Sequence, residues 1–110
     1  MRIEGSEEET HDFFIRAIKE NSCSDKNFPS LVMSFRLLRD YDPSIHKLLA
    51  KVLVSSSKNT SDQVRARTAS LLACLSVNNV EPKLIDDIII PTLIRLSLDD
   101  CMLVVYCSTN

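Results

Sequence analysis

The chain has 110 residues, of which 45% are hydrophobic and 25% are charged, so it is large enough for one small domain of ordinary globular composition. One glycine, four prolines and no tryptophan disfavour a turn-rich sandwich or barrel and argue against a glycine-rich phosphate loop. The net charge of −2 is unevenly spread, since residues 30–70 carry a surplus of four positive charges and both flanks are acidic. This asymmetry permits an anionic partner at the centre of the chain without requiring one.

A first helix is predicted over about residues 6–20. Ser6 followed by Glu9 is a capping box, in which each side chain bonds the backbone N–H of the other residue. A polar break follows at residues 21–27 (NSCSDKN), where short polar side chains compete for backbone bonds. The inner face of this helix is predicted to contain Phe14, Ala17 and Ile18, with Phe13 beside them.

Second and third helices are predicted at about residues 29–41 and 43–55. Pro29 suits the first turn of the second helix. Asp42 is expected to be the N-cap of the third helix, with Pro43 as its first residue. Both helices have apolar residues at helical spacing: Leu31, Val32, Phe35 and Leu38 in the second, and Ile45, Leu48, Leu49, Val52 and Leu53 in the third.

Residues 60–75 (TSDQVRARTASLLACL) predict the fourth helix, which is the second helix of a helical repeat and the segment relative to which the others can be placed. Thr60 and Gln63 form a second capping box, and Asp62 places negative charge at the positive end of the helix dipole. Arg65 and Arg67 fall outside the apolar stripe. That stripe consists of Val64, Thr68, Leu71, Leu72 and Leu75.

A fifth helix is predicted from Pro82 to about Ser97, after a loop at residues 77–81. Pro91 is expected to bend this helix, because proline removes one backbone hydrogen bond and crowds the preceding turn. The β-branched run at residues 88–90 is also compatible with a strand. The apolar residues on either side of this run recur at helical spacing, which favours the helix. A short sixth helix is predicted over residues 100–107.

The six helices make three predicted pairs in a single domain, at about residues 6–41, 42–77 and 78–110. Asp42-Pro43 begins the second pair and Glu81-Pro82 the third, 39 residues later. HEAT and armadillo repeats have a period of roughly 40–47 residues. The sequence therefore predicts an all-α solenoid of stacked helical hairpins rather than a closed bundle.

Two segments resemble HEAT repeats. The segment IIPTLIRLSLD at residues 89–99 is similar to the LLPxLxxLLxD pattern that ends a first helix, and its bend at Pro91 is then expected. The segment DQVRART at residues 62–68, with Leu72, is similar to the D-x-x-VR-x-x-A-x-x-x-L start of a second helix. Thr68 stands where the family has alanine. The resemblance implies a non-catalytic solenoid scaffold that binds a protein partner.

A narrower resemblance is to the N-terminal HEAT array of the G-type subunit of condensin. It is carried by VRAR at residues 64–67, the leucine pair at 71–72, the acidic pair at 86–87 and LIRL at 93–96. This resemblance implies binding to a kleisin subunit, DNA contact through a basic groove, and a role in mitotic chromosome condensation. The alternative is a purely structural fragment of a larger assembly or adaptor, such as a transport or signalling scaffold, without nucleic-acid contact.

The end of the chain departs from the repeat pattern. Val104-Val105 stands where a Val-Arg pair is expected, and the apolar residues 103–106 do not form a polar cap. We therefore expect a fragment or truncated end of a longer solenoid, or a chain that completes its end by association.

No residue pattern predicts catalysis, a cofactor, a metal site or a small-molecule substrate. His11 and His46 are far apart in sequence without neighbouring ligands, and both are predicted to lie on the surface. Adjacent acids such as Asp86-Asp87 and Asp99-Asp100 diverge by about 100° on a helix, so they are interpreted as helix caps or solvated helix faces.

The chain shows no paired cysteine spacing, signal peptide or apolar run of about 18 residues. These features indicate reduced thiols, no membrane association and an intracellular location, nuclear or cytoplasmic.

Four arginines are the candidate partner-binding residues, because they lie on the second and fourth helices, which are both second helices of their pairs. In a solenoid these helices line the same concave side, where arginine pairs with an acidic segment of a protein or with DNA phosphate. Arg65 also has a structural interpretation, as a bond to an acid or helix end of the neighbouring repeat. The candidates are Arg36, Arg39, Arg65 and Arg67.

Overall fold

The computed structural model describes residues 7–22, 26–77 and 79–109, and in these ranges the chain forms six helices and no strand. The prediction of an all-α protein is thus confirmed for the described residues. The Ser6–Glu9 capping box and the centre of the polar break, residues 23–25, lie outside them. The helices are α1 (Glu7–Ser22), α2 (Phe28–Tyr41), α3 (His46–Ser56), α4 (Asp62–Leu75), α5 (residues 82–96) and α6 (Met102–Thr109).

The helices pack as neighbouring pairs in two rows. α1 contacts α2, α3 contacts α4, and α5 contacts α6. α3 contacts both α1 and α5, and these three helices form one row. α4 contacts both α2 and α6, and these three form the other row. α4 touches all five other helices and is the centre of the described structure.

α2 and α4 run in the same direction. The ring of Phe28, which begins α2, lies under Arg67 in the first half of α4. Arg39, in the last turn of α2, reaches the carbonyl of Cys74 in the last turn of α4. Two second helices of successive pairs are therefore parallel neighbours.

The apolar stripe of α4 is buried as predicted. Leu71, Leu72 and Leu75 are fully enclosed, and Val64 and Thr68 are buried with them. Ala66 and Ala69 are buried as well, although they lie outside the predicted stripe. The reason is that α4 is covered by helices on several sides, and small side chains let those helices approach closely.

α4 begins one residue later than predicted. Ser61 is the N-cap: its backbone is extended, and its hydroxyl accepts the N–H of Val64 at 3.5 Å. Asn59 positions this cap, because its side-chain oxygen accepts the N–H of Ser61 at 2.9 Å. The predicted capping box of Thr60 and Gln63 is therefore wrong, whereas Asp62 does lie in the first turn.

The start of the second pair also differs from the prediction. Pro43–Ile45 forms a 3₁₀ turn before α3, and the Asp42 side chain makes no capping bond to the backbone. Its carboxylate accepts the Ser44 hydroxyl instead. His46 is buried, with Nε2 2.7 Å from the carbonyl oxygen of Arg39, so the prediction of a surface histidine is wrong there.

The first helix buries Phe14 and Ile18 as predicted, while Ala17 is half-buried. Phe13 is 64% exposed and makes an edge-on contact with Phe14, at 5.7 Å between ring centres. It therefore contributes to the surface rather than to the inner face. α1 ends at Ser22, two residues beyond the predicted end.

α5 is irregular in the turn before Pro91. It consists of α-helical turns at Pro82–Leu84 and Ile90–Leu96, joined by a π-helical turn at Ile85–Ile89. In this wider turn the N–H of Ile90 donates to the carbonyl of Ile85, five residues earlier. Pro91 has no N–H and crowds the turn before it, so a wider turn at this position relieves the conflict. Residues 88–90 are helical, as predicted.

Candidate partner-binding site

The four candidate arginines lie on the two parallel helices α2 and α4, but they do not form one row of available charges. Three of them bond to protein groups at separate places along α4. Only Arg36 makes no hydrogen bond or ion pair with the residues that the structure describes.

Arg65 uses all five of its N–H donors within the protein. Nε and Nη2 bond the two carboxylate oxygens of Asp99, at 2.8 and 3.1 Å. Nη1 bonds the carbonyls of Asn59 and Thr60, at 2.8 and 3.2 Å, and Nη2 also bonds Asp62. This arginine joins the start of α4 to the loop before α6, so its guanidinium has no donor left for a partner.

The environment of Asp99 follows from this bond. Hydrogen bonds from Arg65, and then from the backbone N–H of Cys101, lower the pKa of the Asp99 carboxyl below its ordinary value. The same pairing raises the pKa of the Arg65 guanidinium. The side chains are 17% and 15% exposed, so the pair is shielded from most of the solvent. The structural interpretation of Arg65, as a bond to an acid of the neighbouring pair, agrees with this contact, although it did not identify Asp99 as the acid.

Arg39 ties the end of α2 to the end of α4. Its Nη1 donates to the carbonyl of Cys74 at 2.6 Å, a favourable place for a cation because the last carbonyls of a helix carry partial negative charge. Nε and Nη2 bond the carboxylate of Asp40, which also accepts from the side chain of Asn79 at 3.2 Å. The hydrogen bond from Arg39 lowers the pKa of Asp40.

Arg67 lies between the first and second helical pairs. Its guanidinium carbon is 4.4 Å from the centre of the Phe28 ring, a cation–π contact. Its Nε donates to the carbonyl of Ser22, the last residue of α1, at 3.3 Å. The side chain is half-buried and makes further contact with the protein. These contacts hold the end of α1 and the start of α2 against α4.

An exposed apolar stripe on α2 accompanies Arg36. Met33, Leu37 and Tyr41 are 53%, 50% and 82% exposed, and their spacing of four residues places them on one side of the helix. Arg36, also exposed, follows Met33 by three residues and lies beside this stripe. Sequence reasoning missed the stripe because it assigned α2 one apolar face. The signal was present, since α2 has more large apolar residues than one buried face can hold.

The two histidines lie in different environments. His11 approaches the Ser55 hydroxyl at 3.4 Å, while His46 is occupied by the Arg39 carbonyl. Residues 7–22, 26–77 and 79–109 contain no cluster of His, Cys, Asp or Glu suited to a metal ion. Within the same ranges Cys74, Cys101 and Cys107 are free thiols.

None of the helices in the described ranges has both the length and the apolar character needed to cross a membrane. The chain matches no protein-family model, no curated protein and no solved structure at a significant level.

Proposed function

We propose that this protein is a non-catalytic scaffold of the HEAT-like solenoid type, which binds a protein partner through the face formed by its second helices. Two observations support the architecture. Successive pairs pack side by side in two rows, and the second helices α2 and α4 are parallel. The Asp40–Asn79 hydrogen bond joins the end of α2 to the loop that follows α4, across 39 residues, which is the predicted period of the repeat.

The observation that carries the binding function is the exposed stripe on α2. Large apolar side chains on a helix surface are costly to leave in water, and a contiguous group of them marks an interaction surface. Met33, Leu37 and Tyr41 present three such side chains over two helical turns. Arg36 beside them adds a charge able to form a two-bond pair with a carboxylate. This combination suits the apolar face of an amphipathic helix that carries an acidic residue at its edge.

A DNA-binding role of the condensin type stays a prediction from the resemblance. It requires the arginines to face phosphate, whereas Arg39, Arg65 and Arg67 are engaged with protein groups. The purely structural alternative shares the same fold and differs only in having no partner on the α2 stripe. The engaged arginines thus favour a protein partner over DNA.

Site-specific photo-crosslinking in cells tests the proposal. A photoreactive amino acid placed at Leu37 or Tyr41 is expected to crosslink one discrete partner, identified by mass spectrometry. The same group at Lys19, an exposed position on α1, is the matched control. Arg36→Glu should reduce the crosslink from Leu37, because the charge beside the stripe is reversed. An identical set of crosslinks from Leu37 and Lys19, or none from Leu37, would exclude a binding role for this stripe.

A further inference from the structure

A second surface feature lies on the opposite row of helices, between α3 and α5. Three adjoining depressions run along the line where these helices meet, and Ile88 lines all three. Lys47 lines two of the three depressions, and Asp87 also lines two of them. The depressions adjoin at Ile88 and are called here the α3–α5 groove, whose main lining residues are Lys47, Leu48, Val54, Lys58, Leu84 and Ile88.

The rim of the α3–α5 groove is predominantly basic. Glu81 and Asp87 are the acidic residues among those lining it. Five basic side chains outnumber them, and all five are exposed at the surface. The local charge is therefore opposite to the net negative charge of the whole chain. The basic residues are Lys47, Lys51, Lys58, Lys83 and Arg95.

The floor of the groove is apolar. Leu84 is buried, Leu48 is half-buried, and Ile88 is 36% exposed. Ile88 belongs to the π-helical turn that precedes Pro91, and its carbonyl accepts the Thr92 hydroxyl at 2.7 Å. Such turns are often found at functional sites, because the extra residue changes where side chains point. Here the turn places an isoleucine at the centre of a basic channel.

We propose that the α3–α5 groove binds an acidic amphipathic segment of a partner protein. An apolar side chain of the segment packs on Ile88 and Leu48, and carboxylates on either side pair with Lys47 and Lys58. Lys47 lies in the first turn of α3 and Lys58 follows its end, so they are separated by about the length of this 11-residue helix, roughly 16 Å. A segment of about 12 residues in helical form spans both lysines. This surface belongs to the row of first helices, so the proposal is independent of the α2 stripe.

Selection from a displayed library of random peptides of about 12 residues tests the groove. The wild-type protein is expected to enrich peptides with net negative charge and apolar residues at spacings of three and four. Their affinity, measured by fluorescence anisotropy, should fall by about tenfold or more for the double variant Lys47→Glu/Lys58→Glu, and should weaken with added salt. Ile88→Ser should weaken the same peptides without changing the salt dependence.

Lys19→Glu/Lys26→Glu provides the matched control, because it makes the same double charge change at two exposed lysines outside the groove. It should bind the enriched peptides as tightly as the wild type does. Circular dichroism confirms that each variant remains helical. The proposal fails if the enriched peptides lack acidic residues, if no peptide is enriched, or if the groove variants bind them unchanged. It also fails if a fluorescent DNA duplex binds the groove more tightly than any enriched peptide does. All of these variants leave the α2 stripe intact.

Discussion

Arg65 in α4 and Asp99 before α6 form a two-bond ion pair between residues 34 positions apart, with N–O distances of 2.8 and 3.1 Å. The same guanidinium holds the carbonyls of Asn59 and Thr60. One side chain therefore joins the second helical pair to the third and closes the loop that leads into α4. Arg65 is one of the candidate partner-binding arginines, and these bonds explain why it acts within the fold instead.

Replacement of Arg65 by alanine should destabilise the protein. The change removes five donors and leaves the Asp99 carboxylate partly shielded without its partner, so we expect the free energy of unfolding to fall by about 1–3 kcal/mol. Arg36→Ala is the control and should change it by less than about 0.5 kcal/mol, because Arg36 is exposed. Urea denaturation followed by circular dichroism gives both values. Equal values for the two variants would contradict the structural role of Arg65.

The same ion pair predicts how stability depends on pH. The pKa of Asp99 is lower in the folded protein than its ordinary value of 3.8, chiefly because Arg65 bonds the ionised form. The resulting stabilisation is fully present above the unfolded pKa and is lost as the pH falls from about 4 through the folded pKa. Asp99→Asn should therefore lose less stability than the wild type over this acidic range.

Asp100→Asn is the matched control for that measurement, since Asp100 is adjacent and exposed. The midpoint of urea unfolding, measured from pH 6 downwards, provides the comparison. If Asp100→Asn flattens the acidic decline as strongly as Asp99→Asn does, the Arg65 bond is not its cause. Asp40, whose pKa is lowered by Arg39, contributes in the same direction in all of these proteins.

Leucines on α4 and α2 should differ sharply in their effect on stability. Leu72 is fully buried, so Leu72→Ala leaves a cavity and should cost about 2–5 kcal/mol. Leu37 is half exposed, and Leu37→Ala should change stability by less than about 0.5 kcal/mol. Thermal and urea unfolding measure the stability change of each variant. A large loss for Leu37→Ala would show that the α2 stripe packs within the protein, which would remove it as a docking surface.

The start of α4 provides a fourth prediction. Ser61→Ala removes the hydroxyl that accepts the Val64 N–H and should lower the free energy of unfolding by about 0.5–1 kcal/mol. Thr60→Ala should have a smaller effect, because Thr60 is exposed and its carbonyl, not its hydroxyl, meets Arg65. Urea denaturation of the pair distinguishes the observed cap from the predicted one. A greater loss for Thr60→Ala would favour the predicted capping box.

Local patterns predicted the elements of this fold well. The spacing of Val64, Leu71 and Leu75 follows the helical period, so it indicated both the helix and its buried side. Proline at residues 29 and 82 marked helix starts within one residue. The cap of α4 was misplaced because Thr60 and Ser61 are both good caps, and only the contact of Asn59 with the Ser61 N–H separates them.

The candidate site was less accessible to such reasoning. Helical period places Arg65 and Arg67 away from the apolar stripe, but it does not reveal which groups the long guanidinium side chains reach. Asp99 and Ser22 are distant in sequence from these arginines, and each comes within bonding distance only when the pairs stack. The α3–α5 groove is likewise made by two helices that are separate along the chain.

By itself, the sequence determined that this protein is helical, where most of its helices begin and end, and which side of α4 is buried. These properties depend on neighbours within a few turns, through backbone bonds and apolar spacing. Which polar side chains are engaged depends instead on how the helices pack. This packing turned Arg39, Arg65 and Arg67 inward as links between pairs, and it left Arg36 with Met33, Leu37 and Tyr41 at the surface. The physical reason is that hydrogen bonds and burial depend on distances between segments, which are set when the helices pack together.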